Sequence, residues 1–343
     1  MHTSHMLSRF GASLLCVASL ADAASYAIAD HYDTSNFFSE FNFFSAADPT
    51  HGFVDYSSAV TANKTGLAGY ASSGVFLGVD HTTANPTAGR GSTRVTSNKA
   101  YTHGLFIADI AHMPGGICGV WPSLWTFGSN WPTNGEIDII EGVNDATTNT
   151  ITLHTSSGCT MTSTGSLSSS NLTGTNCNAG NGNDGCGFDT TSTQGYGSGF
   201  NAIGGGVYAM EWTSSSIKIW NFPRSAIPAD ITSGSPDPST WSTPVSAFSS
   251  GANGGCNIDS HFSGHNIVFD TTFCGDWAGN VWDSSSTCSK LASTCDTYVA
   301  ANPAAFAEAY WLINSVQVYQ ESATATGKRD IQGLGLRERE FRA

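Results

Sequence analysis

The sequence predicts an all-β protein, a sandwich or jelly roll, on three observations. Short runs that alternate apolar and polar residues recur along the chain, as at 104–110, 151–154, 207–212, 217–222 and 311–319. Alternation at period two marks strands with one buried face. The runs are broken by Gly, Ser, Thr, Asn and Pro, the residues that build turns. No heptad and no sustained 3.6-residue period stands out, so nothing calls for long amphipathic helices.

At the start of the chain Arg9 precedes an apolar run, Phe10 to Leu20, that ends in Ala21-Asp22-Ala23. A basic start, a short hydrophobic centre and a small-x-small site are the layout of a secretory leader. A buried first helix is the rival reading, and the run is too short to span a bilayer. Residues 1–23 are therefore expected to be removed, leaving a secreted, extracellular protein with no membrane partner. The remaining length suits two domains by the usual prior, yet large β-sandwiches run as one, and nothing resembles a linker. The stretch Thr155 to Gly206 is dense in Ser, Thr, Gly and Asn and carries three cysteines. It reads as a stapled loop, either part of a cleft rim after His154 or a surface decoration. The tail, 322–343, contains the dibasic pair Lys328-Arg329 and no apolar run of the kind that directs a glycolipid anchor. It is expected to be disordered.

Nine cysteines are present, one of them, Cys16, inside the leader. The other eight, an even number, fit disulfides in an oxidising compartment. Cys177 with Cys186 and Cys288 with Cys295 are near enough to close small loops, but the connectivity stays open. No paired C-x-x-C spacing suggests zinc, and no metal site or cofactor is expected. Asn63-Lys64-Thr65 and Asn171-Leu172-Thr173 are acceptor sequons for N-glycans. The chain has 13 Lys and Arg against 27 Asp and Glu. Most of the few basic residues outside the body cluster after Gly327, so the body could not neutralise many phosphates, which excludes nucleic acid as a partner. A neutral polysaccharide fits better, bound through hydroxyl-matching polar groups and aromatic faces; nine Trp and ten Tyr are available. Nothing asks for an oligomer.

The chemistry concentrates in Trp131-Pro132-Thr133-Asn134-Gly135-Glu136-Ile137-Asp138-Ile139-Ile140-Glu141-Gly142, in a chain only 12% charged. Ile-Asp-Ile alternation reads as a strand, so Glu136 and Asp138 share one face. A regular strand would turn Glu141 to the other face, and one bulge residue among Asp138 to Glu141 would bring it back. A half-exposed strand with solvated acids is the plain alternative, but isoleucines at the alternate positions bury the opposite face. Paired carboxyls on one face are what glycoside hydrolysis needs, one to attack the anomeric carbon and one to protonate the leaving oxygen. They stand about 5–5.5 Å apart in retaining enzymes and about 6.5–9.5 Å in inverting ones. Two acids close together on one strand favour retention. No Gly-x-Ser-x-Gly elbow supports a serine hydrolase.

Gly-Glu-Ile-Asp-Ile-Ile-Glu resembles the E-x-D-x-x-E signature of glycoside hydrolase family 16, in the version that carries the bulge. Further landmarks follow in matching order: Arg94 to Lys99 with Tyr101, Met113 to Gly116, Gly119 to Trp125, Leu153-His154-Thr155, Met210-Glu211-Trp212 and Val316 to Gln320. Phe222 to Pro228 and Phe273 to Gly279 are similar to the fungal, laminarinase-like branch. The resemblance covers roughly 27–321 and implies one domain, 24–321, of two curved antiparallel sheets with a concave substrate cleft. It implies a retaining endo-β-glucanase acting on 1,3-linked or mixed 1,3/1,4-linked glucan. A transglycosylase, or a hydrolase of another polymer, is the runner-up. A carbohydrate-binding protein on the same sandwich is the rival from another class, against which all three acids stand.

By motif position the resemblance makes Glu136 the nucleophile, Glu141 the acid/base and Asp138 the assisting aspartate. Three clustered acids cannot all ionise cheaply, so a proton shared around Asp138 is expected to leave Glu136 charged and Glu141 protonated. His154, on the following strand, is implied to hydrogen-bond one of them. Trp125, Trp131 and Trp277 match aromatic positions that line sugar subsites in the family. Trp121, on the same face as Trp125, reads as core, the commoner place for a large aromatic on a strand. Arg94 is a further binding candidate that could equally pair with a structural acid. Trp220-Asn221-Phe222 departs from the more uniformly aromatic run the resemblance leads one to expect, which puts a distal subsite in doubt.

Overall fold

A computed structural model describes residues 25–71, 74–163, 167, 169–180, 182, 185–250 and 255–322. The expected leader at 1–23 and the tail beyond 322 lie outside the described residues. All five alternating runs are strands, within Gly104–His112, Thr150–His154, Gly206–Trp212, Ser216–Pro223 and Trp311–Glu321. They belong to two antiparallel sheets. The inner one runs Ser170–Gly174, Cys186–Thr190, Thr150–His154, Glu136–Glu141, Val120–Gly128, His265–Phe273, Arg94–Tyr101 and Phe41–Phe43 across its width. In the outer one Ser216–Pro223, Gly206–Trp212, Gly104–His112 and Trp311–Glu321 lie side by side, with Tyr26–Tyr32 also pairing along the last.

Period-two alternation explains the layering. Ile137, Ile151 and Leu153 of the inner sheet meet Ile110, Met210, Trp212 and Val318 of the outer one, all fully or nearly fully buried in one core. The intervening polar residues of the inner sheet are left on its other face, where a substrate can reach them. The outer sheet is covered on its far side too, because Trp220 and Phe222 pack there edge-on against Trp241, at 5.2 and 5.3 Å between ring centroids. The aromatic run whose composition put a distal subsite in doubt is therefore a structural seam, turned away from the acids.

The Ser/Thr/Gly-rich stretch 155–206 is not a single loop. Its strands Ser170–Gly174 and Cys186–Thr190 widen the inner sheet, and Met161–Ser163 joins the outer one through Ser246–Ser250. Low apolar content hid the rim strands at 170–174 and 161–163, since sheet extension at an edge needs ladder hydrogen bonds more than core residues, whereas Cys186–Thr190 lies inside the sheet and buries Cys186 and Phe188. The eight cysteines form four disulfides: Cys118–Cys288, Cys159–Cys256, Cys177–Cys186 and Cys274–Cys295. Of the two sequence-near pairs only Cys177–Cys186 is bonded; Cys288 and Cys295 each reach back to the inner sheet. Those two links, spanning 170 and 21 residues, fasten the loop-rich stretch from Cys274 to Phe306 under the end of the Val120–Gly128 strand, around a second core that includes Val120, Phe273, Trp282, Val299 and Phe306. Arg90 completes this unit. Its guanidinium is fully buried without a carboxylate partner and donates to the backbone carbonyls of Val299, Ala300, Asp80 and Thr83.

Loop length ranks the cross-links. Closing 170 residues removes more unfolded-chain entropy than closing 9; in the chain-entropy limit the figures are about 5 and about 3 kcal/mol. Replacing Cys118 and Cys288 together by Ala is expected to lower the urea-unfolding free energy by more than the same change at Cys177 and Cys186, measured under identical non-reducing conditions.

Candidate active site

The acid strand is built as its sequence dictates up to Asp138, and then changes register. Glu136 faces Phe127 on one neighbouring strand and His154 on the other; Asp138 faces Trp125 and Thr152. Three steps from Asp138 to Glu141 then span only two steps of the partner, from Thr152 to Thr150. One extra residue is accommodated, and two consecutive isoleucines, Ile139 and Ile140, are both buried. This is the expected bulge, and it returns Glu141 to the face of Glu136 and Asp138. The strand is entered through Gly135, whose φ is +78°. A Cβ there would lie 2.5 Å from the His261 carbonyl oxygen, so the turn that precedes the acids requires glycine.

All three acids line one cavity of about 350 Å³, with Arg94, Trp121, Trp125, Trp131 and Asp270 among its other walls. His154 Nε2 stands 3.3 Å from Asp138 Oδ2, both side chains being almost inaccessible. One ligating atom each from Glu136, Asp138 and His154 fall within 4.8 Å of one another, so charge here is crowded. Burial, then the Asp138 charge, pushes Glu136 up to about 8, against the pull of His154, Trp131 and Arg94. Asp138 is likewise pushed up to about 8, by burial and the charge of Asp270, with a hydrogen bond from Glu136 acting the other way. Glu141 is held well above the usual carboxylate range, chiefly by burial and by Asp138. The cluster therefore keeps protons at neutral pH, as three like charges in a site of low polarity must.

Trp121 is not core. Its indole N–H donates to Glu141 Oε1 at 2.8 Å and its ring faces the cavity. Alternation with Trp125 was the available signal, and bulk was the wrong guide. Trp125 donates to Asp270 Oδ2 at 3.3 Å. Arg94 lies between rings, 5.0 Å from Trp125 and 4.6 Å from Phe44, with Nε 3.8 Å from Asp270 Oδ2. It thus both pairs with an acid and lines the cavity. Burial raises Asp270 to about 7 although Arg94 opposes the shift. Trp131 is 45% exposed at the cavity wall. Trp277 stands one layer back, edge-on against Trp121 at 5.6 Å, while its neighbour Asp276 reaches the cavity. Sequence reading missed Asp270, and also Asp48. Asp48 Oδ2 accepts hydrogen bonds from Thr50, Gly52 and Thr272 and so ties the 48–52 turn onto the cavity rim. Neither lies in a recognisable spacing, since Asp270 meets Arg94 and Trp125, and Asp48 meets Thr272, only through the fold.

A sandwich whose inner sheet presents the carboxyls of Glu136, Asp138, Glu141 and Asp270 to one open cavity, walled by the indoles of Trp121, Trp125 and Trp131, defines a carbohydrate-active protein. The family model described as the XgeA-like catalytic GH16 domain matches residues 41–319, and the chain belongs to glycoside hydrolase family 16. It is 46% identical over 286 residues to an endo-1,3(4)-β-glucanase of Arthroderma benhamiae, covering 82% of this chain and 62% of that one. To the endo-1,3(4)-β-glucanase xgeA of Emericella nidulans it is 44% identical over 289 residues, 81% of this chain and 45% of that one. The chain spans about half the length of the curated relatives it matches. A solved elongating family 16 β-1,3-glucosyltransferase superposes with a TM-score of 0.81 at 48% identity, over 86% of this chain and 100% of its own. Laminarinase 16A of Phanerochaete chrysosporium, solved with β-glucans in both donor and acceptor sites, gives 0.80 at 42%, over 87% and 100%.

A carboxyl whose folded value is raised destabilises the fold increasingly as pH climbs from the unfolded value, near 4, to the folded one. Asp138→Asn removes that penalty and relieves Glu136 and Glu141. Its Tm should exceed that of the wild type by about 2–6 °C at pH 8, with the gain vanishing toward pH 4, read by calorimetry across that range.

Proposed function

We propose that this chain is a secreted, retaining endo-β-glucanase that hydrolyses internal linkages of 1,3-β-glucan and mixed 1,3/1,4-β-glucan by double displacement. The observation that carries the reading is the bulged acid strand, which sets Glu136, Asp138 and Glu141 on one face of one cavity. Glu136, held up by burial and Asp138 while His154, Trp131 and Arg94 pull against that rise, gives up its proton and attacks the anomeric carbon. Glu141, whose environment favours its proton, delivers it to the leaving oxygen; as carboxylate it then takes a proton from the water that releases the glycosyl-enzyme. Asp138 holds the proton that Glu136 must be without. Trp131, Trp125 and Arg94, with His154 behind the acids, form the glucan-binding wall, and Trp277 supports it through Trp121. The chemistry asks for no cofactor and no metal.

The leader at 1–23, four disulfides and two exposed sequon asparagines, Asn63 and Asn171, support a secreted glycoprotein. No helix among the described residues is long and apolar enough to cross a membrane. The reading takes 24–321 as one catalytic domain acting as a monomer. A second reading, glucosyl transfer to another glucan, is favoured by the 48% identity to the elongating transferase. The same acids would serve both.

The test is a reducing-end assay on linear 1,3-glucan, mixed-linkage glucan, cellulose and agarose, with products sized over time and the anomer of each new end read by proton NMR. Internal cuts on the first two that appear first as the β anomer support the proposal; chain lengths reshuffled without new ends support transfer. Glu136→Gln is expected to lower kcat/KM by about 10³-fold or more. Trp131→Ala should raise KM for polymer about fivefold with kcat retained, the loss of one ring contact worth about 1 kcal/mol.

A further inference from the structure

Glu141 is on the catalytic face only because the strand bulges, and a bulge forfeits ladder hydrogen bonds. Two of the groups it strands are met by one side chain, while the Ile140 carbonyl accepts from Ser123 Oγ at 3.4 Å. Asn149, fully buried, accepts a hydrogen bond at Oδ1 from the Glu141 backbone N–H, 2.8 Å, and donates from Nδ2 to the Ile139 carbonyl, 2.8 Å. Its two amide atoms therefore bracket the inserted residue, one on each side. Asn149 is itself fixed. Its backbone N–H donates to Thr190 Oγ1 at 3.0 Å, and its carbonyl accepts from the Thr190 N–H at 2.8 Å and hydroxyl at 3.0 Å. Thr190 closes the Cys186–Thr190 strand, which reaches the Thr150–His154 strand through its own ladder.

We propose that Asn149 is the positioning residue for Glu141: an amide clip that holds the bulge at the one register in which the acid/base meets the leaving oxygen. A primary amide offers a donor and an acceptor on one short planar group at every pH, which is what a carbonyl and an N–H on either side of a bulge require. Leucine has a similar volume and neither function. Aspartate keeps the acceptor and, when ionised, cannot donate. Asn149 does not touch the substrate; it acts through the backbone of Glu141. An error of about 1 Å in a catalytic group costs about 10²-fold in rate, so a slackened clip should be seen in proton delivery before anything else. The inference rests on the assignment of Glu141 as acid/base.

The experiment compares Asn149→Leu, Thr190→Val and wild type on two substrates: linear 1,3-glucan, whose leaving oxygen needs a proton, and a 2,4-dinitrophenyl β-1,3-oligoglucoside, whose leaving group needs none. For Asn149→Leu, kcat/KM on glucan is expected to fall about 10²-fold, far more than on the dinitrophenyl substrate, and the alkaline limb of the pH profile should move. Thr190→Val, which leaves the amide in place and loosens its anchor, should shift both quantities in the same direction by less, and it serves if Asn149→Leu does not fold. Equal losses on both substrates, or none, would overturn the clip. Hydrogen exchange at the Glu141 amide, followed by mass spectrometry, decides the point without activity: the clip predicts protection in the wild type that is lost in either variant. Should Glu141→Ala show no dependence on the leaving group, the acid/base assignment fails, and exchange at that amide still says whether Asn149 holds the bulge.

Discussion

A single inserted residue between Asp138 and Glu141 is the constraint on which this molecule turns. Without it the alternation of the strand would send Glu141 into the core, among Ile137, Ile151 and Leu153, where an ionisable side chain has no place. With it, two neighbouring isoleucines share the apolar side and all three acids share the other. The surrounding architecture is arranged to tolerate this defect. The bulge sits in the middle of an eight-stranded sheet, with Val120–Gly128 on one side and Thr150–His154 on the other, so neither flanking ladder can slip to erase it.

The second consequence is electrostatic. Carboxyls pressed together on a buried face oppose folding whenever they ionise, and the sheet alone does little to offset that. Compensation comes from elsewhere: indole N–H groups of Trp121 and Trp125 directed at Glu141 and Asp270, the Arg94 guanidinium held between two rings, and a frame cross-linked four times. The loop-rich stretch behind the cleft has little regular structure of its own. It is organised around Arg90, a buried cation whose charge is met by carbonyl dipoles and by the ring of Phe306 at 5.0 Å.

Much of this was legible in the amino-acid order. Ile-Asp-Ile-Ile-Glu announces both strand and bulge, because only a break in period two lets two adjacent isoleucines be buried beside acids that share a face. The five long strands followed from alternation. What stayed hidden falls into two kinds. The edge strands at 161–163 and 170–174 have too few apolar residues to show a period, since at the rim of a sheet pairing does more than burial. Asp270, Asp48, Asn149 and Arg90 take their roles from partners that only the fold brings to them, such as Arg94, Thr272, Thr190 and Val299, and an isolated polar residue in a β-rich chain carries no mark of whether it faces water, a backbone carbonyl or a clustered acid. Trp121 shows the same limit from the other side, as size suggested a core that its neighbours did not provide. The Cys288 and Cys295 links were similarly beyond reach, because proximity along the chain says nothing about which strand end lies across the gap.

The strand Ser170–Gly174 stands at the open border of the inner sheet, pairing with Cys186–Thr190 on one side only among the described residues. An open border offers unpaired backbone groups to any extended chain that drifts past, and Leu172, 47% exposed, makes this one adhesive. Asn171 of the sequon is on that same strand and exposed. A sugar chain attached there would act as a steric fender, keeping two copies from zipping together edge to edge, so that glycosylation would govern solubility in storage.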